Sequence, residues 1–310
     1  MPDTLFIINP IASRGTTLSK WQSLKPRFIN AGITFEEYLT SDSGEASRIT
    51  RQALANGFSK IIAVGGDGTL NEIINGYLHD SGSPINPQAS IGLLPCGTGS
   101  DFRRSVGLLN SRDAVNIILR SNTRLIDAMR VAYQDRQGKT VSRFAINIVS
   151  FGLGGEVVSL VNGWRNKLPA WVGGKLRFIA GAIGVLGQYR LKPVKVIFEN
   201  GEQMPIDSNL IIVANGRFAG SGMMFAPQAK LDDGLLDVIL TNCASRWDVV
   251  KELPRIFHGG YLKNPRVSDY QTAAVTIRCN EKLAIDIDGE AAGFAPAQIS
   301  VLPSIIKFIC

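Results

Sequence analysis

Hydrophobic residues in this chain fall into two successive textures that meet near residue 126. In the first, short apolar runs end in loops and are followed by helical spacing. Leu5-Phe6-Ile7-Ile8, Ile33 to Leu39, Ile61-Ile62-Ala63-Val64 and Ile91-Gly92-Leu93-Leu94 predict four strands. One helix is predicted from about Glu45 to Asn56, another through Ile73, Ile74, Tyr77 and Leu78, and a third after Asp101. Runs that stay apolar without alternation fit strands buried on both faces of a parallel sheet. Strands alternating with helices imply right-handed crossovers. The loops after the strands then gather along one edge, where such sheets bind ligands.

The second texture is one of short alternating runs separated by turn residues. Arg143 to Val149, Val194 to Phe198, Leu210 to Ala214, Leu235 to Leu240, Ala274 to Cys279 and Leu283 to Ile287 predict an antiparallel sandwich or barrel. The expected organisation is an α/β domain over 1–126 and a mainly antiparallel β-sandwich domain over 127–299. Residues 300–310, which hold Ile305-Ile306-Lys307-Phe308-Ile309, are expected to return to the first domain. A basic stretch over roughly 157–191 interrupts the strands and reads as partly helical.

Composition removes several chemistries. Four scattered cysteines with no C-x-x-C pair fit a reducing compartment and argue against a thiolate metal site. Two histidines, His79 and His258, are too few for a histidine metal centre, and a Ser-His-Asp triad is not expected. Met1-Pro2-Asp3 opens no signal peptide, so a cytoplasmic chain is expected.

The net charge of +7 is concentrated in one place. Between Val157 and Phe198 there is no acid and there are seven cations: Arg165, Lys167, Lys175, Arg177, Arg190, Lys192 and Lys195. Trp164, Trp171 and the run from Phe178 to Leu186 lie among them. That run is well short of the roughly 20 residues that span a bilayer. It reads either as an ordinary helix with a basic outer face or as a peripheral contact with anionic membrane. No nucleic-acid-binding motif accompanies the charge.

Candidate chemistry begins at Gly65-Gly66-Asp67-Gly68-Thr69-Leu70-Asn71-Glu72, between the third strand and its helix. Thr69 and Glu72 have capping-box spacing, which predicts Thr69 as the N-cap. A glycine-rich turn on a helix N-terminus favours phosphate, and Asp67 could hold Mg²⁺ beside it. No lysine follows the glycines, so this is not a Walker A loop. From local residues alone, a tight connection in any α/β domain is as good a reading.

The full string resembles the GGDGTxNE signature of the diacylglycerol kinase catalytic-domain family, which includes sphingosine kinases, ceramide kinases and bacterial lipid kinases. Its first five residues are shared with NAD kinases and phosphofructokinases. Three further segments resemble that family in its order. Pro95-Cys96-Gly97-Thr98-Gly99-Ser100-Asp101-Phe102 is similar to its GTxND signature, with Ser100 replacing asparagine and Arg103 where a small residue is common. Pro227-Gln228-Ala229-Lys230-Leu231-Asp232-Asp233-Gly234-Leu235 resembles its structural Mg²⁺ segment, although Asp233-Gly234 alone reads as a hairpin turn. Asp286-Ile287-Asp288-Gly289-Glu290 resembles its late DGE motif.

The resemblance implies ATP as phosphate donor, contacted by Asn9, Thr40, the turn from Gly65 to Glu72, Gly97 and Thr98. It implies Asp67 and Asp101 as catalytic supports and Glu290 as the base that takes the proton from a lipid hydroxyl. It implies Mg²⁺ held by the Asp233 carboxylate and the carbonyls of Lys230 and Leu235. The implied activity is transfer of a γ-phosphate to a diacylglycerol- or phosphatidylglycerol-like lipid, with room for a homodimer. A kinase for a soluble acceptor such as NAD, and a non-catalytic nucleotide or lipid sensor, remain alternatives.

Overall fold

In a computed structural model the described residues are 2–96, 100–108, 110–163, 180–181, 184–185, 190–208, 210–242 and 246–310. The chain divides into two compact units, one of residues 1–127 with 303–310 and the other of residues 128–302.

The first unit is a parallel sheet with helices between its strands. Strands β1 (Thr4–Ile8), β2 (Phe35–Leu39), β3 (Lys60–Gly65) and β4 (Ser90–Pro95) run in the spatial order 2-1-3-4. All three contacts between them are parallel, and Phe308 near the chain end pairs in parallel with Ile91 of β4. From β1 the chain moves one way to β2 and then the other way to β3, so the strand order reverses at the β1–β3 pair, and the carboxyl ends of these two strands are the switch point where ligands bind in sheets of this kind. β1, β3 and β4 are buried along nearly their whole length, as their unbroken apolar runs require.

Helices α1 (Thr17–Asn30), α2 (Glu45–Ala55), α3 (Asp67–Tyr77), α4 (Phe102–Ser105) and α5 (Ser111–Arg120) complete the unit. α2 and α3 cross closely at Gly76, where a methyl group would overlap the Ser47 carbonyl oxygen and lie 2.8 Å from Thr50 Cβ. Gly76→Ala is therefore expected to destabilise the protein by about 2 kcal/mol, despite alanine's better helix propensity. A denaturant titration checks this, and an unchanged midpoint would contradict it.

The second unit is an antiparallel sandwich. Strands β7 (Ile148–Gly152), β10 (Leu210–Ala214), β13 (Leu236–Thr241), β14 (Val267–Thr272) and β16 (Ala284–Ile287) form one sheet in the order β14-β13-β10-β7-β16. The long strand β17 (Glu290–Ile309) pairs with β16 through its first residues. Further along, it pairs with β15 (Ala274–Cys279), which continues to β8 (Lys192–Phe198) and β9 (Gln203–Ser208). β5 (Thr123–Gln134) and β6 (Thr140–Ala145) form a hairpin beside them. Alternate residues of these strands, including Val131, Val149, Phe151, Val196, Val213, Val238, Ile277 and Ile285, meet in one buried core. The opposite face of the first sheet, with Ile148, Ile212 and Ile239, is covered by Phe225, Tyr261 and Ile256 at the end of helix α7 (Arg246–Ile256).

Two local expectations are corrected. The run from Arg143 to Val149 is not one strand: it breaks at Ile146-Asn147, whose N–H groups are drawn off to the Asp288 carboxylate. The capping box does not form either. Helix α3 starts at Asp67 with Gly66 as N-cap, so Thr69 lies inside the helix. Glu72 instead reaches the Ala46 N–H at the start of α2, at 3.1 Å. Among the described residues, no helix is long and apolar enough to cross a membrane. Within the basic stretch, residues up to Gly163 form the end of helix α6 (Leu153–Gly163), and 164–179 lie outside the described residues.

Candidate active site

In the first unit, three loops after strands are tied together. The loop after β1 folds on itself through Asn9, whose side-chain oxygen accepts the Ala12 N–H at 3.1 Å. From the same loop, Ser13 Oγ donates to the Cys96 carbonyl at 2.7 Å, and Lys20 Nζ reaches that oxygen at 3.0 Å. Asp67 joins the other two. Its carboxylate accepts the N–H groups of Asp101 at 2.7 Å and Phe102 at 3.3 Å, holding the segment after β4 against the turn after β3.

The glycines of the turn have separate reasons. A side chain at Gly65 would meet Thr69 Oγ1 at 2.5 Å, so the strand can enter the helix only through glycine. At Gly66 the nearest atom to an added Cβ, among the described residues, is Ser100 Oγ at 3.9 Å. That hydroxyl is buried and has no hydrogen-bond partner among the described residues. The Gly66 side of the turn therefore offers the first N–H groups of an eleven-residue helix, beside a buried hydroxyl able to donate.

The other proposed nucleotide residues fall in different places. Thr69, Leu70 and Asn71 are buried in α3, while Gly68 is exposed. Thr40 is buried just after β2, and its N–H bonds the Ile8 carbonyl at 2.9 Å. Asp101 is buried and lies 3.5 Å from Arg104 Nε. Gly97 and Thr98 lie outside the described residues.

In the second unit, the β16–β17 hairpin turns on Asp288-Gly289, both at positive φ, 50° and 87°. Two central residues with φ above zero are the type I′ geometry that matches strand twist. Asp288 is the hub. It accepts N–H groups from Ile146 at 2.8 Å and from Asn147 and Ile148 at 3.0 Å each. Glu290, the first residue of β17, is partly exposed and accepts from Arg143 at 2.9 Å. Burial lowers the Arg143 pKa, but Glu290 outweighs it and holds the guanidinium charged. Asn147 and Asn215 are buried beside this hub, and neither was singled out in the sequence. Their available signal was amide residues within or ending otherwise apolar runs, Ile146-Asn147-Ile148 and Val213-Ala214-Asn215.

Asp286 lies deeper on the same hairpin and accepts from Ser150 Oγ at 3.0 Å. Burial pushes its pKa from 3.8 up to about 8; the Ser150 bond opposes this and Asp288 adds to it. Between about pH 4 and 8 the folded chain keeps a proton that the unfolded chain releases, so stability falls as pH rises through that window. The slope from this group is at most about 1.4 kcal/mol per pH unit. Asp286→Asn should flatten it: the melting temperature of the unsubstituted protein should drop more between pH 5 and 8 than that of the variant. Parallel pH curves would contradict the assignment.

The Lys230–Leu235 segment stands apart from the hairpin in sequence. Asp233 is exposed, and its Oδ1 accepts the Leu235 N–H at 3.1 Å. Asp237 is buried nearby, its pKa raised to about 6 by burial first and then by Asp233. Among the described residues no three His, Cys, Asp or Glu side chains are arranged to hold a metal. One carboxylate with backbone carbonyls is a different design, and its hard oxygen donors suit Mg²⁺.

The diacylglycerol kinase catalytic domain matches residues 3–131, and the YegS C-terminal NAD kinase beta sandwich-like domain matches residues 147–310. The chain is 26% identical over 305 residues to a diacylglycerol kinase of Mycobacterium tuberculosis, covering 98% of this chain and 93% of that one. It is 28% identical over 287 residues to a probable lipid kinase YegS-like of Xanthomonas oryzae, covering 89% and 86% of the two chains. The crystal structure of a putative diacylglycerol kinase from Bacillus anthracis has the same fold, with a TM-score of 0.78, 23% identity and coverage of 99% and 96%. The chain belongs to the diacylglycerol kinase catalytic-domain family, the lipid kinases that carry a YegS-type C-terminal domain.

Proposed function

We propose that this chain is an ATP- and Mg²⁺-dependent kinase that transfers the γ-phosphate to a hydroxyl of a diacylglycerol- or phosphatidylglycerol-like lipid. The observation that carries the nucleotide half is the Gly66 side of the turn, where helix N–H groups lie beside the Ser100 hydroxyl, which has no partner among the described residues. Phosphate suits that place because the helix dipole and free donors favour an anion. Asn9, Thr40, Gly65 to Glu72, Gly97 and Thr98 form the nucleotide site in this reading. Asp67 serves it by holding the segment after β4 in place, and Asp101 supports it.

Transfer breaks the bond between the γ-phosphorus and the ADP oxygen and forms one to the lipid oxygen. Glu290 takes the hydroxyl proton, since phosphoryl transfer asks the protein chiefly for positioning, charge and one oriented nucleophile. Mg²⁺ at the nucleotide would neutralise phosphate charge. A second Mg²⁺ on Asp233 and the Lys230 and Leu235 carbonyls would have a structural part. The cationic stretch after Gly163 would meet anionic membrane peripherally, in the cytoplasm.

An acceptor panel tests the reading. Diacylglycerol, phosphatidylglycerol, ceramide and sphingosine in mixed micelles, and NAD in buffer, would each be offered with ATP and Mg²⁺. Phosphorylation confined to the micellar lipids is the expected result. Phosphorylation of NAD alone would move the chain to a soluble acceptor.

A further inference from the structure

The ion pair between Arg143 and Glu290 joins two hairpins whose backbones are fixed against each other. Glu290 opens β17 directly after the Asp288-Gly289 turn, and Arg143 lies on β6 opposite Val131 of β5. Just past the end of β6, Asp288 takes the N–H groups of Ile146, Asn147 and Ile148. Three residues beyond Glu290, a Cβ at Gly293 would overlap the Gln134 carbonyl oxygen at the end of β5, so the two chains meet there backbone to backbone. The 2.9 Å bond from Arg143 Nη1 to Glu290 Oε2 is thus framed by backbone contacts on both hairpins.

Stability does not explain why an arginine stands here. Its side chain is mostly buried, and charged side chains are seldom buried that far without a partner. The pair it makes reaches a partly exposed carboxylate, and such pairs contribute little to stability. The Tyr133 hydroxyl lies against the same guanidinium: burial raises its pKa, and the Arg143 charge and hydrogen bond oppose that. What the arrangement does fix is the Glu290 carboxylate. With Oε2 on Arg143, Oε1 is the oxygen that faces a hydroxyl, on a side chain that would otherwise turn freely at the hairpin. Phosphoryl transfer depends on an oriented nucleophile more than on covalent work by the protein, so a base held in one orientation is more effective than a mobile one.

We propose that Arg143 is a positioning residue for phosphoryl transfer that acts through Glu290, holding Oε2 so that Oε1 meets the reacting hydroxyl of the lipid. This rests on the kinase reading with Glu290 as base. Arg143 touches neither lipid nor nucleotide in this role, and the hydroxyl proton passes to Glu290 alone.

A double-substitution cycle separates this role from a structural one. Arg143→Met should lower kcat for micellar lipid about thirtyfold, the scale of one charge-assisted hydrogen bond, with the KM for ATP within about twofold. Arg143→Lys restores the charge and a donor, and should lose only about threefold. In a Glu290→Gln background neither change at Arg143 should lower kcat further by a measurable factor, because the residue it acts through no longer takes the proton. The lysine variant carries the same cycle if the methionine variant does not fold. An unchanged kcat in a folded Arg143→Met would overturn the inference and leave the kinase reading standing. Equal losses in both backgrounds would overturn it as well, assigning Arg143 to the fold or to direct contact with phosphate. Near-normal turnover in Glu290→Gln, or absence of transfer to every lipid, would instead remove the reading on which the inference rests, and the inference with it.

Discussion

Glu290→Gln is expected to lower kcat for lipid phosphorylation by roughly a thousandfold, with the affinity for ATP held within about twofold. Glutamine keeps the size of the side chain and an oxygen that can face Arg143, but it cannot take a proton. The accompanying loss of the ion pair to Arg143 is a modest effect. Glu290 is 44% exposed and Arg143 22%, and pairs of that exposure contribute about 1 kcal/mol or less. A stability change therefore cannot account for a thousandfold loss. Steady-state rates with saturating lipid, together with nucleotide titration followed by fluorescence, separate the two quantities. Near-normal turnover in the glutamine variant would remove Glu290 from the role of base.

Asp67→Ala is expected to have the second large effect, and of a different kind. The Asp67 carboxylate holds the N–H groups of Asp101 and Phe102, so its removal releases the segment after β4 from the turn after β3. The two N–H groups must then find water, at a cost of about 1–3 kcal/mol for each that stays buried. Activity should fall roughly a thousandfold in kcat/KM for ATP, because both the phosphate cradle and the carboxylate beside it are lost. The melting temperature should fall too. Asp67→Asn keeps one acceptor and should recover part of the stability without the activity. If Asp67→Ala lost stability alone and kept its kinetics, the carboxylate would be only a loop tether.

The sequence showed the elements well where one local pattern decides them. Unbroken apolar runs marked β1, β3 and β4 because both faces of each are covered. The hairpin at Asp288-Gly289 has a local cause too, since an Asp-Gly pair suits the two positive φ angles of a type I′ turn. The pattern failed where a distant group competes for the backbone. Ile146-Asn147-Ile148 continues a strand pattern, and nothing local shows that Asp288 takes three successive N–H groups there. Thr69 and Glu72 have the spacing of a cap, yet Glu72 serves the start of a neighbouring helix that lies twenty-six residues away in sequence.

Candidate site residues followed the same rule. Glycine and acid motifs carry their reason in their spacing, so Gly65, Gly66 and Asp67 could be named from the sequence. Asn147 and Asp286 carry theirs only in their surroundings: one has an acceptor without a donor among the described residues, the other a carboxyl kept from water.

The central claim is phosphoryl transfer from ATP to a lipid hydroxyl, and one measurement tests it most directly. The protein would be given γ-labelled ATP, Mg²⁺ and glycerolipid in mixed micelles, with Glu290→Gln run in parallel and ATP binding measured for both. Label that enters the lipid with the unsubstituted protein, and does not with the variant while ATP still binds, is the predicted result. ATP binding without label in any lipid would contradict the account and favour a nucleotide sensor.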